Sequence, residues 1–291
     1  MPREITTRIA VTLRVELPTA EAARPTEHPD ALDYILRARA AGFARPTSLD
    51  RTAEVTGLLE HALALDPRSV DAQASLAVWL AGGVLSSTTG SAVADLERAK
   101  RLSEQALRAS PRSALAHVAK GDVLRVQLRY VEAIPEYEAA LALDRNMLFA
   151  LNGLASCKLS AGSIEETIPL CERAIRLSPR DPQVGYFYNL IGTVHLLQSR
   201  TNEAIMWLEK ARYAEPELSS VHAALASAYA LDGEIERAAA QLTEARGLSS
   251  DDRYSSLARL RAHRVHLVPK IRALFEATYD VGLRKAGMPQ K

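Results

Sequence analysis

The residues of this 291-residue chain whose chemistry stands out are two cysteines, a histidine pair and a run of basic side chains. His263 and His266 are three apart, a spacing that puts both imidazoles on one helix face. Zinc takes three or four ligands, commonly with His-x-x-x-His or Cys-x-x-Cys spacing. No third ligand is evident, so the pair reads as surface histidines and no metal is expected. Cys157 and Cys171 are the only cysteines, too few for a disulfide framework in a chain of this length. They read as small apolar groups in a core, with a redox pair as the alternative. Arg253, Arg259, Arg261, Arg264, Lys270 and Arg272 cluster within residues 253–272 among few acids. Such a cluster can meet phosphate or an acidic partner, although a solvated face is the simpler reading.

Catalytic signatures are missing. There is no Gly-x-x-x-x-Gly-Lys-Ser/Thr phosphate loop, no Gly-x-Gly-x-x-Gly dinucleotide turn and no Gly-x-Ser-x-Gly nucleophile elbow. The chain is therefore expected to be a non-enzyme with no cofactor.

Composition narrows the class further. Lys and Arg number 36 against 35 Asp and Glu, a formal charge of +1. That balance argues against a dedicated nucleic-acid binder and against a polybasic membrane anchor. Apolar residues make up 47% and aromatics 5%, too apolar for a disordered chain and suited to helices packed through alanine and leucine. No uncharged apolar run of about 18 residues would span a bilayer, and the N-terminus lacks the apolar stretch of a secretory signal. A cytoplasmic location is expected.

The elements that position these residues come from a repeat. Alanines at 62, 106, 140, 174, 211 and 245 sit in similar blocks, such as His61-Ala62-Leu63-Ala64-Leu65-Asp66-Pro67 and Arg173-Ala174-Ile175-Arg176-Leu177-Ser178-Pro179. Their spacings are 44, 34, 34, 37 and 34. Gly121, Ala155, Gly192 and Ala226 lie 19 residues before their alanine; Ala133, Thr167, Ala204 and Ala238 lie 7 before it. Small residues at those positions let two helices approach closely. Gly162 and Gly233 fall where the turn between the helices needs positive φ or a flexible stop.

A 34-residue period with these internal positions resembles the tetratricopeptide repeat (TPR) family over about residues 30–250. The expected fold class is all-α, a TPR α-solenoid: a right-handed superhelix of about six antiparallel helix pairs. Residues 1–29 are expected to form an N-terminal helix (stripe Ile5, Ile9, Leu13) and a linker, residues 30–250 the TPR array, and residues 251–291 C-terminal capping helices. Asp30 and Asp251 are the expected N-caps of the first repeat and of a helix reaching Ala262. A second helix is expected over Ile271–Tyr279. The ten extra residues of the second repeat are expected as a loop around Gly82–Gly90, and the three extra before the fifth near Arg180-Asp181-Pro182. Pro135 and Pro169 are expected in the first turn of their helices.

A narrower resemblance rests on Glu4-Ile5-Thr6-Thr7-Arg8-Ile9-Ala10, Leu190-Ile191-Gly192-Thr193-Val194-His195-Leu196-Leu197 and Gly282-Leu283-Arg284-Lys285-Ala286-Gly287-Met288-Pro289. These blocks are similar to the C-terminal TPR region of bacterial class III adenylate/guanylate cyclase-like proteins, in which that region follows another domain. Related proteins put the same region behind a winged-helix DNA-binding domain, so the resemblance implies a regulatory region associated with a nucleotide cyclase or a transcriptional regulator; any cyclase activity would need a domain not present here.

The TPR resemblance also implies where a protein or peptide would bind, since helix A of each repeat lines the concave groove. Those positions hold Leu115, Val118, Asp122 and Arg125 in the third repeat, Phe149, Asn152 and Ser156 in the fourth, Tyr186, Asn189 and Thr193 in the fifth, and Ser220, Ala223 and Ser227 in the sixth. Asn152 and Asn189 share one repeat position and can hydrogen-bond a peptide backbone. Leu115, Phe149 and Tyr186 share another and can form an apolar track; packing between repeats is the alternative for all of them. Val118, Asn152 and Asn189 stand where the chaperone-binding type carries its basic carboxylate clamp, so that clamp is absent. The expected function is a non-catalytic scaffold for a protein or peptide, without direct nucleic-acid or membrane contact. A self-association module forming a homodimer, and residual adenylate cyclase activity, are the alternatives.

Overall fold

The computed structural model describes residues 30–43, 48–181, 183–249 and 251–291. The expected N-terminal helix and linker, and Pro182, lie outside them. All regular structure among the described residues is helical. Helix pairs follow one another: α1 (Ala31–Phe43) with α2 (Leu49–Leu65), α3 (Val70–Ser86) with α4 (Ala92–Ala109), α5 (Ala114–Val126) with α6 (Tyr130–Leu143), α7 (Leu148–Ala161) with α8 (Ile164–Leu177), α9 (Val184–Leu197) with α10 (Thr201–Ala214), and α11 (Ser219–Asp232) with α12 (Ile235–Leu248). Three shorter helices close the chain: α13 (Leu257–Ala262), α14 (Pro269–Ala277) and α15 (Tyr279–Lys285). Contacts divide the chain into two compact units, residues 1–154 and 155–291, with the division inside α7.

Local chemistry explains where the helices begin. Asp30 Oδ1 accepts from the Asp33 amide at 3.0 Å while Asp33 Oδ2 accepts from the Asp30 amide at 2.9 Å, a reciprocal cap that satisfies two orphan donors. Ser48, Ser69 and Ser113 cap α2, α3 and α5 by accepting from Arg51, Ala72 and Ala116.

The turn between helices A and B is equally regular. Ser87, Leu128, Gly162, Ser199 and Gly233 all have φ between 58° and 101°. The next amide donates five residues back in each case, as from Arg129 to the Leu124 carbonyl at 2.9 Å and from Glu234 to Tyr229 at 2.9 Å. This is the Schellman closure, which needs a left-handed residue. Gly162 and Gly233 supply it as expected; Ser87, Leu128 and Ser199 supply it at a steric cost.

The repeat positions form the core. The six spaced alanines are all buried, as are Ala133, Thr167, Ala204 and Ala238. Three residues before each spaced alanine stand Leu59, Ser103, Tyr137, Cys171, Leu208 and Leu242, also buried. In the first unit Tyr137 presses on Gly121, where a Cβ would come within 2.8 Å of its ring, and a Cβ on Gly153 would overlap it outright. In the second, a Cβ on Gly192 would lie 2.6 Å from Leu208 Cγ. Glycine in helix A thus makes room for a large side chain from helix B. Burying one such side chain stabilises by about 1.5–3 kcal/mol.

Four local expectations are corrected. Gly82 and Gly83 are helical, because α3 runs on to Ser86 and the loop begins only at Ser87. A Cβ on Gly83 would stand 3.2 Å from Thr52 Cγ2, so this glycine permits close helix approach. Pro135 and Pro169 are the sixth residues of α6 and α8, beyond the first turn. Both rings face solvent, as do Val131 and Glu165, whose carbonyls they leave without an intrahelical donor. Ser256 caps α13 by accepting from the Arg259 amide at 3.2 Å, while Asp251 instead accepts from the Arg253 amide at 3.0 Å. The helix expected over Ile271–Tyr279 is broken at Thr278 into α14 and α15.

Candidate partner-binding face

The expected groove residues divide between the two units. In the first, Leu115 is partly buried against Ala74, Ala106 and Ala116, packing between helices instead of lining a free track. Val118 is fully buried and offers no surface. Asp122 is buried too, accepting from the Tyr137 hydroxyl at 2.7 Å. Burial pushes its carboxyl above the usual range, opposed by the Arg125 guanidinium 3.9 Å away and by the tyrosine. Arg125 is half-buried beside it. Phe149 is 39% exposed and Asn152 half-buried. These two residues keep ligand-accessible surface in the first unit.

In the second unit Ser156, Tyr186, Asn189 and Thr193 are all half-buried. Tyr186, Asn189 and Thr193 share one face of α9. Asn189 Nδ2 donates to Ser220 Oγ at 3.3 Å, while Oδ1 is buried without a hydrogen-bond partner. The sixth-repeat positions differ: Ala223 and Ser227 are buried, and Ser227 Oγ donates to the Tyr279 carbonyl of α15 at 2.9 Å.

The other chemical candidates are absorbed by structure. Cys157 and Cys171 are buried thiols, and burial, with Glu172 nearby, pushes the Cys171 thiol well above its ordinary value. That is the opposite of what a reactive thiolate needs. Of the basic cluster, Arg253 pairs with Asp251, Arg259 with Asp252, and Arg261 and Arg264 both reach Asp280 at 2.7 Å. Burial holds the His266 imidazole below its ordinary value, helped by the neighbouring His263. Among the described residues no group of three His, Cys, Asp or Glu side chains could hold a metal ion.

One recurring device was not anticipated. Gln73 Nε2 donates to the Pro67 carbonyl at 2.8 Å; His117 Nε2 meets the Pro111 carbonyl at 3.1 Å, and His222 Nε2 the Pro216 carbonyl at 2.7 Å. Each polar side chain lies six residues after its proline. His117 Nδ1 also meets Glu136 Oε2 at 2.7 Å and His222 Nδ1 meets Gln241 Oε1 at 2.8 Å. The side chain thereby ties the start of helix A to the preceding turn and, for the two histidines, to its own helix B. The Pro-x5-His/Gln spacing was the available sequence signal.

No protein-family model matches the sequence, and no curated protein matches it. Solved structures do. The APC/C hetero-tetramer Cut9–Hcn1 matches with a TM-score of 0.64 at 15% identity, over 83% of this chain and 44% of that one. The human IFIT1 dimer with m7Gppp-AAAA gives 0.61 at 15%, over 95% and 64%. Pseudomonas aeruginosa pilF gives 0.53 at 19%, over 75% and 93%. The chain thus spans less than two thirds of the Cut9–Hcn1 and IFIT1 chains. At such identities the likeness is one of fold. With the repeat register and the helix pairs, it defines the class: an all-α protein of the TPR type. No described helix is long and apolar enough to cross a membrane.

Proposed function

We propose that this chain is a non-catalytic scaffold that holds a protein or peptide against the helix-A face of its repeats. The observation that carries the reading is Asn189. The residue is half-buried between Tyr186 and Thr193, its amide nitrogen donates to Ser220, and its buried oxygen has no partner. Buried acceptors are nearly always satisfied, so a ligand N–H that draws this oxygen to the surface would give it the partner it lacks, in exchange for the long Ser220 contact. Asn152 offers the same group one repeat earlier, with Phe149 as an exposed apolar neighbour. Leu115, Val118 and Asp122 contribute through packing, not by touching the ligand.

The context proposed is regulatory, beside a nucleotide cyclase or transcriptional output domain in the cytoplasm; the blocks at residues 4–10, 190–197 and 282–289 support it. The near-neutral charge supports a protein ligand over nucleic acid. Asn152→Ala with Asn189→Ala, checked for retained helicity, tests the reading. Loss of capture of a native partner is expected, and undiminished capture would sink it.

Self-association is the second reading. Tyr213 is 91% and Met206 46% exposed, seven residues apart on one face of α10, with Lys210 over the Trp207 ring between them. Light scattering on the wild type and on Met206→Ser with Tyr213→Ser distinguishes a dimer held by this face from a monomer.

A further inference from the structure

The last helices of the chain lie on the helix-A face of the second unit. In this array the next helix A stacks on both helices of the preceding pair, as α5 does on α3 and α4 and α11 on α9 and α10. A seventh repeat would therefore rest on α12 as well as on α11. Instead α15 lays its length along α11. Gly282 meets Ser227 so closely that any Cβ would overlap the serine's hydroxyl and carbonyl oxygens. Further back, α14 touches α9, and Val268 Cγ2 stands 3.3 Å from where a Cβ on Gly162, just past α7, would be. The segment thus reaches α11, α9 and the end of α7, the helices A of this unit. Residues 221–230 of α11 are consequently buried on every side, the mark of an enclosed helix.

The segment is also held together by its own bonds. Arg261 Nε and Arg264 Nη1 both donate to Asp280 at 2.7 Å, and Asp280 is buried. The Arg264 guanidinium stacks over Phe275 and Tyr279. The Leu257 amide donates to the Pro289 carbonyl at 2.9 Å and the Ala258 amide to Gln290 at 3.1 Å. Its buried carboxylate is satisfied internally, while its grip on α11 uses small residues and the Ser227–Tyr279 hydrogen bond.

We propose that residues 257–290 are an in-cis ligand of the helix-A face: a self-contained helical body on ground that a partner helix would take. The partner it mimics is a short apolar helix with a glycine at the crossing point, whose backbone carbonyl accepts from Ser227. That partner binds the sixth repeat by displacing the segment. The proposal rests on the helix-A face being the binding face, and it adds what occupies that face and what must leave.

The test uses the full chain. Gly282→Val wedges the crossing, and Ser227→Ala removes the hydrogen bond without adding bulk. Hydrogen exchange should show residues 257–290 losing protection as one body in both variants, more in Gly282→Val, while α9 and α10 keep theirs. A synthetic peptide of residues 257–290 should bind the Gly282→Val chain saturably, and the wild type, whose face is taken, at least about tenfold more weakly. The same peptide carrying Gly282→Val should bind neither. Protection unchanged in both variants, α9 and α10 melting together with the segment, or no peptide binding would each overturn the proposal. The peptide needs no outside partner, so its failure is separable from failure of the Asn152 and Asn189 test.

Discussion

Tyr137 donates its hydroxyl to Asp122 Oδ1 across 2.7 Å inside the first unit, with its ring on Gly121. One side chain thereby satisfies a buried carboxyl and fills the gap that a glycine leaves. Tyr137→Phe keeps the ring and removes the donor. Leaving a buried acceptor unsatisfied costs about 1–3 kcal/mol, so urea unfolding should show a loss of that size. A change within error would mean Arg125 alone suffices for Asp122.

Asp122 also predicts a pH dependence. Burial raises its folded pKa above the ordinary 3.8, against Arg125 and Tyr137. The folded state therefore holds this proton more tightly than the unfolded chain. Its contribution is fully present below the unfolded pKa and is lost as pH rises through the raised value. Relative to Asp122→Asn, the wild type should lose stability as pH increases above 4. Parallel curves would refute the direction.

Asp251 behaves in the opposite sense. The Arg253 guanidinium bonds to it and holds its carboxyl well below the usual range. That contribution is present above the unfolded pKa and disappears as pH falls below it. Arg253→Ala should flatten the acid limb of the stability curve measured by denaturant titration.

Leu128 and Ser199 sit at φ 63° and 59°, in the turn position that glycine fills in the fourth and sixth repeats. Left-handed backbone costs a side-chain-bearing residue about 1–2 kcal/mol. Leu128 is 46% exposed, so Leu128→Gly gives up only part of a side chain's burial. Leu128→Gly and Ser199→Gly should each stabilise by about 1 kcal/mol in thermal or urea melts. Gly233→Ala should do the reverse.

Asp280 is buried between Arg261 and Arg264. Removing one partner of a buried ion pair leaves uncompensated charge and costs about 3–5 kcal/mol. Arg261 is partly solvated, which favours the low end, about 3 kcal/mol for Asp280→Ala by chemical denaturation. The loss should be accompanied by faster proteolysis within residues 257–290.

The sequence carried the helix pairs plainly, because a 34-residue spacing of small residues is a direct image of helix contacts. Ala62, Ala106, Ala140, Ala174, Ala211 and Ala245 are all in the core. What stayed hidden was set by contacts remote in sequence. Gly82 and Gly83 read as a loop, yet α3 passes through both, and at Gly83 Thr52 packs close to where a side chain would be. Leu128 and Ser199 gave no sign of a left-handed turn, since neither residue prefers it and only the repeat register demands it. The face-forming positions were legible as positions. Whether each was open was not: Val118 is covered by packing, Asp122 by Tyr137, and Ser227 by a helix 52 residues further on.

That covering of Ser227 by Tyr279 has a consequence for synthesis. Chains fold from the N-terminus as they emerge, so α11 is made well before α15 exists. Until residues 279–285 leave the ribosome, the Ser227 face of α11 lacks the cover that α15 later gives it. The sixth repeat is therefore completed only once α15 has emerged, and the interval before that closure is when nascent-chain binders have the freest access to this face.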